Sequence, residues 1–207
     1  LGRGFTGSGT LTTPVVFAGY GISFPAKKYD DYADVDVRGK VVLVFKDAPP
    51  WTLDEAGWGG ATLPRPKAHN AADRGAVGLL FVTPPSAKQG APVGSVLHGE
   101  GSQLEDFPQL HVAPAVATRI LASSASTLEQ IQAAIDGKRR PQSFDTDVLV
   151  RIDVRAHYRA AAPTENVVAV LEGRDPVLRA EYVVVGARLA HVGTQGEPPE
   201  GEAATSP

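Results

Sequence analysis

The sequence predicts an α/β protein that contains at least one pair of parallel strands. Residues 40–46 and 77–82 contain apolar runs of strand length, and the helix-permissive residues 66–75 lie between them. A run that is apolar throughout is typical of a strand buried on both faces. Parallel neighbours need a crossover connection, which is usually a helix, so this strand–helix–strand order indicates a βαβ unit.

Two further elements have clear signals. The β-branched and aromatic residues at 15–18 predict a strand that ends before Gly19. Ser126 and Glu129 form the S-x-x-E pattern of a capping box, in which each side chain satisfies a free backbone amide at the helix start. The apolar residues that follow have helical spacing, so a helix is expected from Ser126 to Gly137.

Strands are also expected in the remainder of the chain. Apolar residues recur at every second position over residues 147–158, which predicts a long, half-exposed strand at an antiparallel edge. A shorter strand is expected at 110–116. Two more are expected at 166–171 and 182–185, with a turn at 173–176 between them.

Three segments contain little to bury. The Gly- and Thr-rich residues 1–13 predict a linker. Residues 84–109 predict a long irregular loop, and such loops usually serve a function. Residues 194–207 predict a disordered tail.

Composition excludes several classes of function. The chain has 207 residues, of which 43% are hydrophobic and 21% charged, and its net charge of −3 gives no basis for nucleic-acid binding. No run approaches the roughly 20 apolar residues that span a bilayer. The absence of cysteine excludes disulfides and thiolate metal sites. Because the chain starts at Leu1 and has no Met, we expect a processed product or a fragment.

Candidate cation sites have simpler interpretations. His69 and Asp73 have the i, i+4 spacing of a cation-binding pair, but an exposed helical pair is favoured. His98-Gly99-Glu100 is a candidate metal or partner contact, with a solvated loop favoured. The acidic residues within 30–36 lack the alternating ligands and glycine of a calcium loop, which favours turn and helix-start roles. His111 and His157 are interpreted as structural.

Other motifs are weak. Residues 2–7 match G-x-G-x-x-G, but a dinucleotide site needs a strand before the motif and a helix after it, and Pro14 follows where the helix should run. There is no G-x-S-x-G motif to support a nucleophilic hydrolase. Trp51 and Trp58 flank a Gly-rich loop, and two roles stay open for them: an exposed surface for a partner, or a cover over the core.

Four groups of residues, taken in order, resemble the di-zinc aminopeptidase family in the subgroup with an inserted protease-associated domain. This group includes bacterial aminopeptidases, glutamate carboxypeptidase and the transferrin receptor. The resemblance runs from Pro14 to Gly193. The matching stretches are VFAGYGI at 16–22 with YDDY at 29–32 and DVRGKVV at 36–42; KAHNAADRGAVGLLFV at 67–82; TENVVA, LEG and DP within 164–176; and EYVVVGA at 181–187.

The resemblance implies a domain plan. Residues 14–143 would form the protease-associated insert, a barrel-like or open β-sandwich α/β domain with flanking helices. Residues 144–193 would be the first strands of an α/β zinc-exopeptidase sheet. In the family, the last of these strands leads into a Gly-Ala-His-x-Asp motif, whose His binds zinc and whose Asp orients that His.

This chain departs from the family at the metal motif. Arg188 occupies the position of the ligand His, and Ala190 that of the orienting Asp. A guanidinium has no lone pair to donate and carries a permanent charge that repels a cation. Strand alternation predicts that His191 faces the opposite side from both positions, and the resemblance does not make it a family ligand. The remaining family ligands are expected downstream of residue 207.

We therefore expect a non-catalytic protease-associated module that holds no zinc, although zinc is the cofactor of the parent family. Its role would be to shape substrate access or to bind a protein, a peptide or the rest of a peptidase domain. Two alternatives stay open: an inactivated variant or fragment of an active zinc aminopeptidase, and a degenerate peptidase scaffold used for binding. The resemblance also implies a secreted or cell-envelope location.

Overall fold

A computed structural model describes residues 6–87, 102–157, 167–178 and 181–186. The chain divides into two units, Leu1–Ala160 and Ala161–Pro207. The boundary between the two units falls within residues 144–193, the segment that the resemblance assigns to a peptidase-like sheet. The first part of that segment therefore belongs to the first unit.

The first unit contains a five-stranded mixed sheet with the strand order β6-β5-β4-β1-β7. Strands β1, β4, β5 and β6 are parallel, and β7 is antiparallel to β1. A separate pair, β2 and β3, forms an antiparallel hairpin. The strands are β1 Gly9–Ala18, β2 Ser23–Phe24, β3 Tyr29–Asp30, β4 Val41–Phe45, β5 Gly78–Val82, β6 Gln109–Val112 and β7 Ser143–Val154.

In the part of the chain that the structure describes, four α-helices accompany the sheet, and the predicted α/β class is confirmed. The helices are α1 Trp51–Asp54, α2 Pro64–Ala72, α3 Pro114–Ile120 and α4 Leu128–Lys138, with 3₁₀ turns at Pro25–Lys27 and Gly59–Thr62. Helix α2 connects the parallel strands β4 and β5, which confirms the βαβ unit. In the described ranges, no helix has both the length and the apolar character needed to cross a bilayer.

The sheet is covered on both faces. Every residue of β4 and β5 is buried, as the continuous apolar runs predicted. One core includes alternate residues of β1 and β4 with Ile131 and Ile135 of α4. The other includes the intervening strand residues with Ala68 and Ala71 of α2. At the edge, residues 145–154 of β7 alternate between exposed side chains and side chains that are buried or half-buried, as the period-two pattern predicted.

Strand β1 begins within the segment that the sequence predicted to be a linker. Gly9 to Thr13 pair with Val154 to Val150 of β7, and the Thr13 hydroxyl donates to the Gly39 carbonyl at 2.5 Å. Pairing with a long partner strand thus overrides the weak intrinsic preference of a Gly- and Thr-rich segment. The register shifts between Pro14 and Val16, as expected where a proline cannot donate to the ladder.

Two boundaries near the third helix differ from the prediction. Strand β6 ends at Val112, and the predicted continuation to residue 116 is helical because Pro114 occupies the first helical position. The capping box of α4 is formed by Thr127 and Gln130, one residue later than Ser126 and Glu129. Both pairs satisfy the same sequence pattern, so only the backbone geometry decides between them.

Helix α4 also continues past its predicted end. It runs through Gly137 to Lys138, and the left-handed residue that ends it is Arg139, with φ of 49°. The apolar face predicted from Leu128, Ile131 and Ile135 is buried as expected.

The described residues of the second unit contain no strand. Residues 167–171 and 182–185 were expected to form strands, but their side chains are exposed, and those of Leu171 and Val183 are 99% and 93% exposed. An apolar run becomes a strand where neighbours pair with its backbone and cover its side chains, and among the described residues neither condition is met. A turn lies at residues 176–178, slightly later than the predicted 173–176, and Asp175 Oδ1 accepts from the backbone N–H groups of Val177 and Leu178.

Candidate functional site

The segment between β4 and α2 contains two buried tryptophans and an exposed leucine. We call residues 46–63 the tryptophan loop. Trp51 and Trp58 are each only 6% exposed, which decides between the two roles left open for them: both cover the core. Leu53 lies between them in the sequence and is 77% exposed. The loop thus exposes an apolar side chain while its two tryptophans are packed in the core.

Aromatic rings from two other segments support this loop. Trp51 lies 6.0 Å from the Tyr20 ring, and Trp58 lies 5.7 Å from Tyr29 and 5.8 Å from Phe24. Tyr20 follows β1, and the other two rings belong to the β2–β3 hairpin. Edge-to-face and tilted contacts at these separations are favourable, so the hairpin and the end of β1 hold the loop in place.

Lys67 holds the first residues of the loop. Its side chain is fully buried, and Nζ donates to the backbone carbonyls of Phe45, Lys46 and Asp47 at 2.9, 3.0 and 2.9 Å. An ammonium has three donors and no acceptor, so the three carbonyls satisfy it completely. The same Nζ lies 5.6 Å from the centre of the Tyr20 ring, within the range of a cation–π contact.

Asp31 holds the turn that carries Tyr20. It is fully buried, and its Oδ2 accepts from the backbone N–H groups of Tyr20 and Ile22 at 3.1 and 2.9 Å. Its Oδ1 accepts from the Tyr29 hydroxyl at 3.1 Å. Gly19 begins this turn with φ of +46°, and a Cβ at that position would collide with Asp31 Oδ1. The turn therefore needs both the carboxylate and a glycine.

Two residues of helix α4 hydrogen-bond with the Tyr20 hydroxyl. The Tyr20 hydroxyl donates to Asp136 Oδ1 at 2.8 Å and accepts from Gln132 Nε2 at 3.2 Å. Arg139, just beyond the same helix, forms an ion pair with Glu55 of the tryptophan loop at 2.7 Å. The loop is thus tied to α4 directly and through Tyr20.

Burial shifts the pKa values of the two buried charges in opposite directions. It raises the pKa of Asp31 to about 7, while the hydrogen bonds from Ile22 and Tyr29 and the charge of Lys67 oppose the rise. It lowers the pKa of Lys67 to about 7, while the charges of Asp31 and Asp47 oppose the fall. The phenolic pKa of Tyr20 is raised, chiefly by burial.

The acidic residues within 30–36, which the sequence analysis considered as a calcium site, make separate contacts. Asp31 is the buried carboxylate described above. Asp30 accepts from the Tyr32 backbone N–H at 3.1 Å, and Asp36 pairs with Arg38 at 2.8 Å on the surface. These contacts agree with the turn roles favoured over a calcium site. Within the described ranges, no group of three or more His, Asp or Glu residues is arranged to hold a metal ion.

The histidine candidates are not brought together. His69 Nε2 lies 3.0 Å from the Ser102 carbonyl oxygen, so its polar contact is with backbone. His111 is 3% exposed, and its Nε2 lies 2.9 Å from the Thr83 hydroxyl, in keeping with a structural role. His157 is exposed at the end of the described part of the first unit. Residues 98–100, Arg188, Ala190 and His191 lie outside the described residues.

The fold and this site define a compact α/β module in which a mixed sheet carries an anchored surface loop. The family model for the PA domain, the protease-associated domain, matches residues 11–120. This match covers more than half of the 207 residues, and the chain therefore belongs to the PA domain family. A comparison with curated proteins finds no match.

Sequence reasoning missed the residues that organise the site. Lys67 stands beside Ala68 and Ala71 on the small-residue face predicted for α2, and a lysine on a face otherwise suited to burial is the signal that was available. Asp31 had no such signal, because Asp30, Asp34 and Asp36 surround it with residues of the same type.

Proposed function

We propose that this PA domain is a non-catalytic module of a zinc-aminopeptidase-like protein and that it binds protein or peptide through the tryptophan loop. The observation that supports the proposal most directly is the 77% exposure of Leu53 between two buried tryptophans. A partner that covered this leucine would remove a large apolar side chain from water, which is worth roughly 1.5–3 kcal/mol. Because Lys67 and the Glu55–Arg139 pair fix the loop, little ordering would be lost on binding.

The residues at the family's metal motif do not fit zinc. Arg188 has no lone pair for a metal, and Ala190 provides no carboxylate to orient a ligand. This departure supports the non-catalytic part of the proposal. The resemblance to secreted and cell-envelope peptidases is the basis on which we also propose that location.

Peptide selection tests the binding role. We would pan a random-sequence phage-displayed peptide library on the wild-type chain and measure the affinity of the enriched peptides. The variant Leu53→Ala should weaken binding at least about fivefold, because it removes apolar surface whose burial is worth on the order of 1 kcal/mol or more. Leu149→Ala is a matched control, since Leu149 is a similarly exposed leucine, 67% exposed, on the edge strand β7. Failure to enrich any peptide, or equal loss in both variants, would contradict the proposal.

A further inference from the structure

Strand β7 forms one edge of the sheet. It spans 12 residues, Ser143–Val154, and among the described residues its only partner in the sheet is β1. The backbone groups of β7 that point away from β1 therefore form a row to which another strand can add. Edge strands are often short or interrupted by proline, which prevents such addition. Because β7 is long and contains no proline, its free edge is suited to pairing.

The two faces of β7 differ in character. On one face Asp147, Leu149 and Arg151 are exposed. On the other face Val148 and Val150 are half-buried and pack against the core. A strand added beside β7 would cover more of these two valines and would place a neighbouring side chain beside each residue of the exposed face.

The sequence of β7 is complementary to itself in an antiparallel arrangement. When a two-fold axis passes beside Leu149, each residue faces the one that lies equally far on the other side of the partner's Leu149. Asp147 then faces the partner's Arg151, and the symmetry repeats this contact, so two pairs of opposite charge form. The two copies of Leu149 face each other, and Val148 faces the partner's Val150. Favourable neighbours therefore occur on both faces of the strand.

One like-charge contact in this arrangement is partly compensated within each chain. Asp145 faces the partner's Asp153. Asp145 already forms an ion pair with Lys40, and Asp153 accepts a hydrogen bond from the Thr10 hydroxyl at 3.2 Å. The positive charge of the lysine reduces the repulsion between the two aspartates.

The nearest alternative registers fit less well. Moving the axis one residue towards the C-terminus places Asp147 opposite the partner's Asp153, and the symmetry repeats this repulsion. Moving it one residue towards the N-terminus pairs Asp145 with the partner's Arg151, but it leaves Asp147 opposite the partner's Leu149. The register centred on Leu149 is therefore the one that combines the leucine contact with the opposite-charge pairs.

We propose that two copies of this chain associate through β7, antiparallel about a two-fold axis beside Leu149, so that their two sheets join into one. A contact of this symmetry uses the same edge of both copies and therefore closes at a dimer. The residues that form it are different from those of the tryptophan loop, so the proposal does not depend on peptide binding.

Charge reversal on β7 tests the interface. Sedimentation velocity at low ionic strength, over a range of protein concentrations, measures dimerisation. The wild type should dimerise, and Asp147→Arg and Arg151→Asp should each weaken dimerisation at least about tenfold, because each variant places like charges opposite one another twice. Both side chains are exposed, so neither change should unfold the chain. Arg119→Asp is the matched control, since it reverses the charge of an exposed arginine on α3 and should leave dimerisation unchanged.

Mixing the two single variants distinguishes a specific interface from a general effect of charge. In a mixed dimer of Asp147→Arg with Arg151→Asp, both pairs again have opposite charges, so the equimolar mixture should dimerise about as well as the wild type. The double variant that carries both changes should be restored in the same way.

Three results would overturn the proposal. They are a wild type that stays monomeric up to about 1 mM, single variants that dimerise like the wild type, and single variants that stay monomeric when mixed. Leu53→Ala, the variant expected to lose peptide binding, should dimerise normally, so this proposal and the peptide-binding role can fail separately.

Discussion

Lys67 and Asp31 both contact Tyr20. The Lys67 ammonium lies 5.6 Å from the centre of the Tyr20 ring, and the Asp31 carboxylate accepts a hydrogen bond from the Tyr20 backbone N–H at 3.1 Å. Both charged side chains are fully buried. Each hydrogen-bonds fully with its neighbours, and their mutual attraction offsets part of the cost of removing two charges from water. The tyrosine thus links two charges that stabilise different segments of the site.

Removal of the Asp31 carboxylate should destabilise the domain severely. Asp31→Ala leaves two backbone N–H groups and a hydroxyl without their acceptor and a buried ammonium without its counter-charge, so we expect a loss of about 3–5 kcal/mol in urea unfolding. Asp31→Asn should cost less, because its amide oxygen can accept from the same N–H groups and its NH₂ can donate to the Tyr29 hydroxyl.

A surface aspartate provides the control for this experiment. Asp145 pairs with Lys40, but its side chain is 62% exposed, so Asp145→Ala should change the unfolding free energy by no more than about 1 kcal/mol. Equal losses at positions 31 and 145 would show that the buried hydrogen bonds of Asp31 contribute nothing beyond those of a surface pair.

Asp31 should also make stability depend on pH. Because its pKa is raised to about 7 in the folded chain, the stability it contributes is complete below the ordinary aspartate value of about 4 and is lost as pH rises through about 7. The unfolding free energy of the wild type, relative to Asp31→Asn, should therefore decrease between about pH 4 and pH 7. Paired urea titrations at several pH values measure the difference, and a difference that grows with pH in this range would contradict the assignment.

Two glycine substitutions should have opposite effects. Gly19 has φ of +46° and faces Asp31 Oδ1 so closely that a Cβ does not fit, so Gly19→Ala should destabilise the domain by at least about 1 kcal/mol. Gly137 lies within α4, and a Cβ there meets no atom within 4 Å. Gly137→Ala should stabilise the chain by roughly 0.5–1 kcal/mol. Thermal unfolding of both variants checks the signs, and stabilisation by Gly19→Ala would refute the description of the turn.

The parts of the fold that sequence predicted are those fixed by local pattern. The continuous apolar runs of β4 and β5 and the alternation of β7 determine their burial directly. The start of β1 could not be predicted, because Gly9 to Thr13 become a strand only through pairing with residues about 140 positions away. The expected strands at 167–171 and 182–185 have the right composition but no partner in the described residues.

The site was less predictable than the fold because it depends on contacts distant in sequence. Lys67 and Asp31 are ordinary polar residues until strand β4 and the turn after β1 bring backbone groups to them. Trp51 and Trp58 were recognised as notable, but their burial is decided by Tyr20, Tyr29 and Phe24. The absence of a regular spacing between these residues left no motif to detect.

The start of α4 can be tested at single-residue resolution. The Thr127 side chain accepts from the Gln130 backbone N–H, and the Gln130 side chain accepts from the Thr127 backbone N–H. Thr127→Ala should therefore destabilise the domain by about 0.5–2 kcal/mol. Ser126→Ala is the matched control, since Ser126 is the alternative cap that the sequence pattern favours, and it should change stability by less than about 0.5 kcal/mol. If Ser126→Ala destabilised the domain more than Thr127→Ala in urea unfolding, Ser126 would be the cap.

The proposed correspondence of residues 186–190 to the zinc-peptidase metal motif gives a prediction about zinc. If Arg188 occupies the family's ligand position and Ala190 its orienting position, as proposed, the chain should retain no stoichiometric zinc after dialysis and should not hydrolyse a chromogenic aminoacyl substrate. The double change Arg188→His and Ala190→Asp adds one imidazole and one carboxylate that orients it, whereas a catalytic zinc needs three protein ligands and an open position for water. We therefore expect the double variant to gain weak zinc binding, measured by calorimetry, without turnover. The single change Ala190→Asp is the control and should gain nothing, because Arg188 still repels the cation. Tight zinc binding by the wild type, or hydrolysis that a chelator abolishes, would contradict the non-catalytic role.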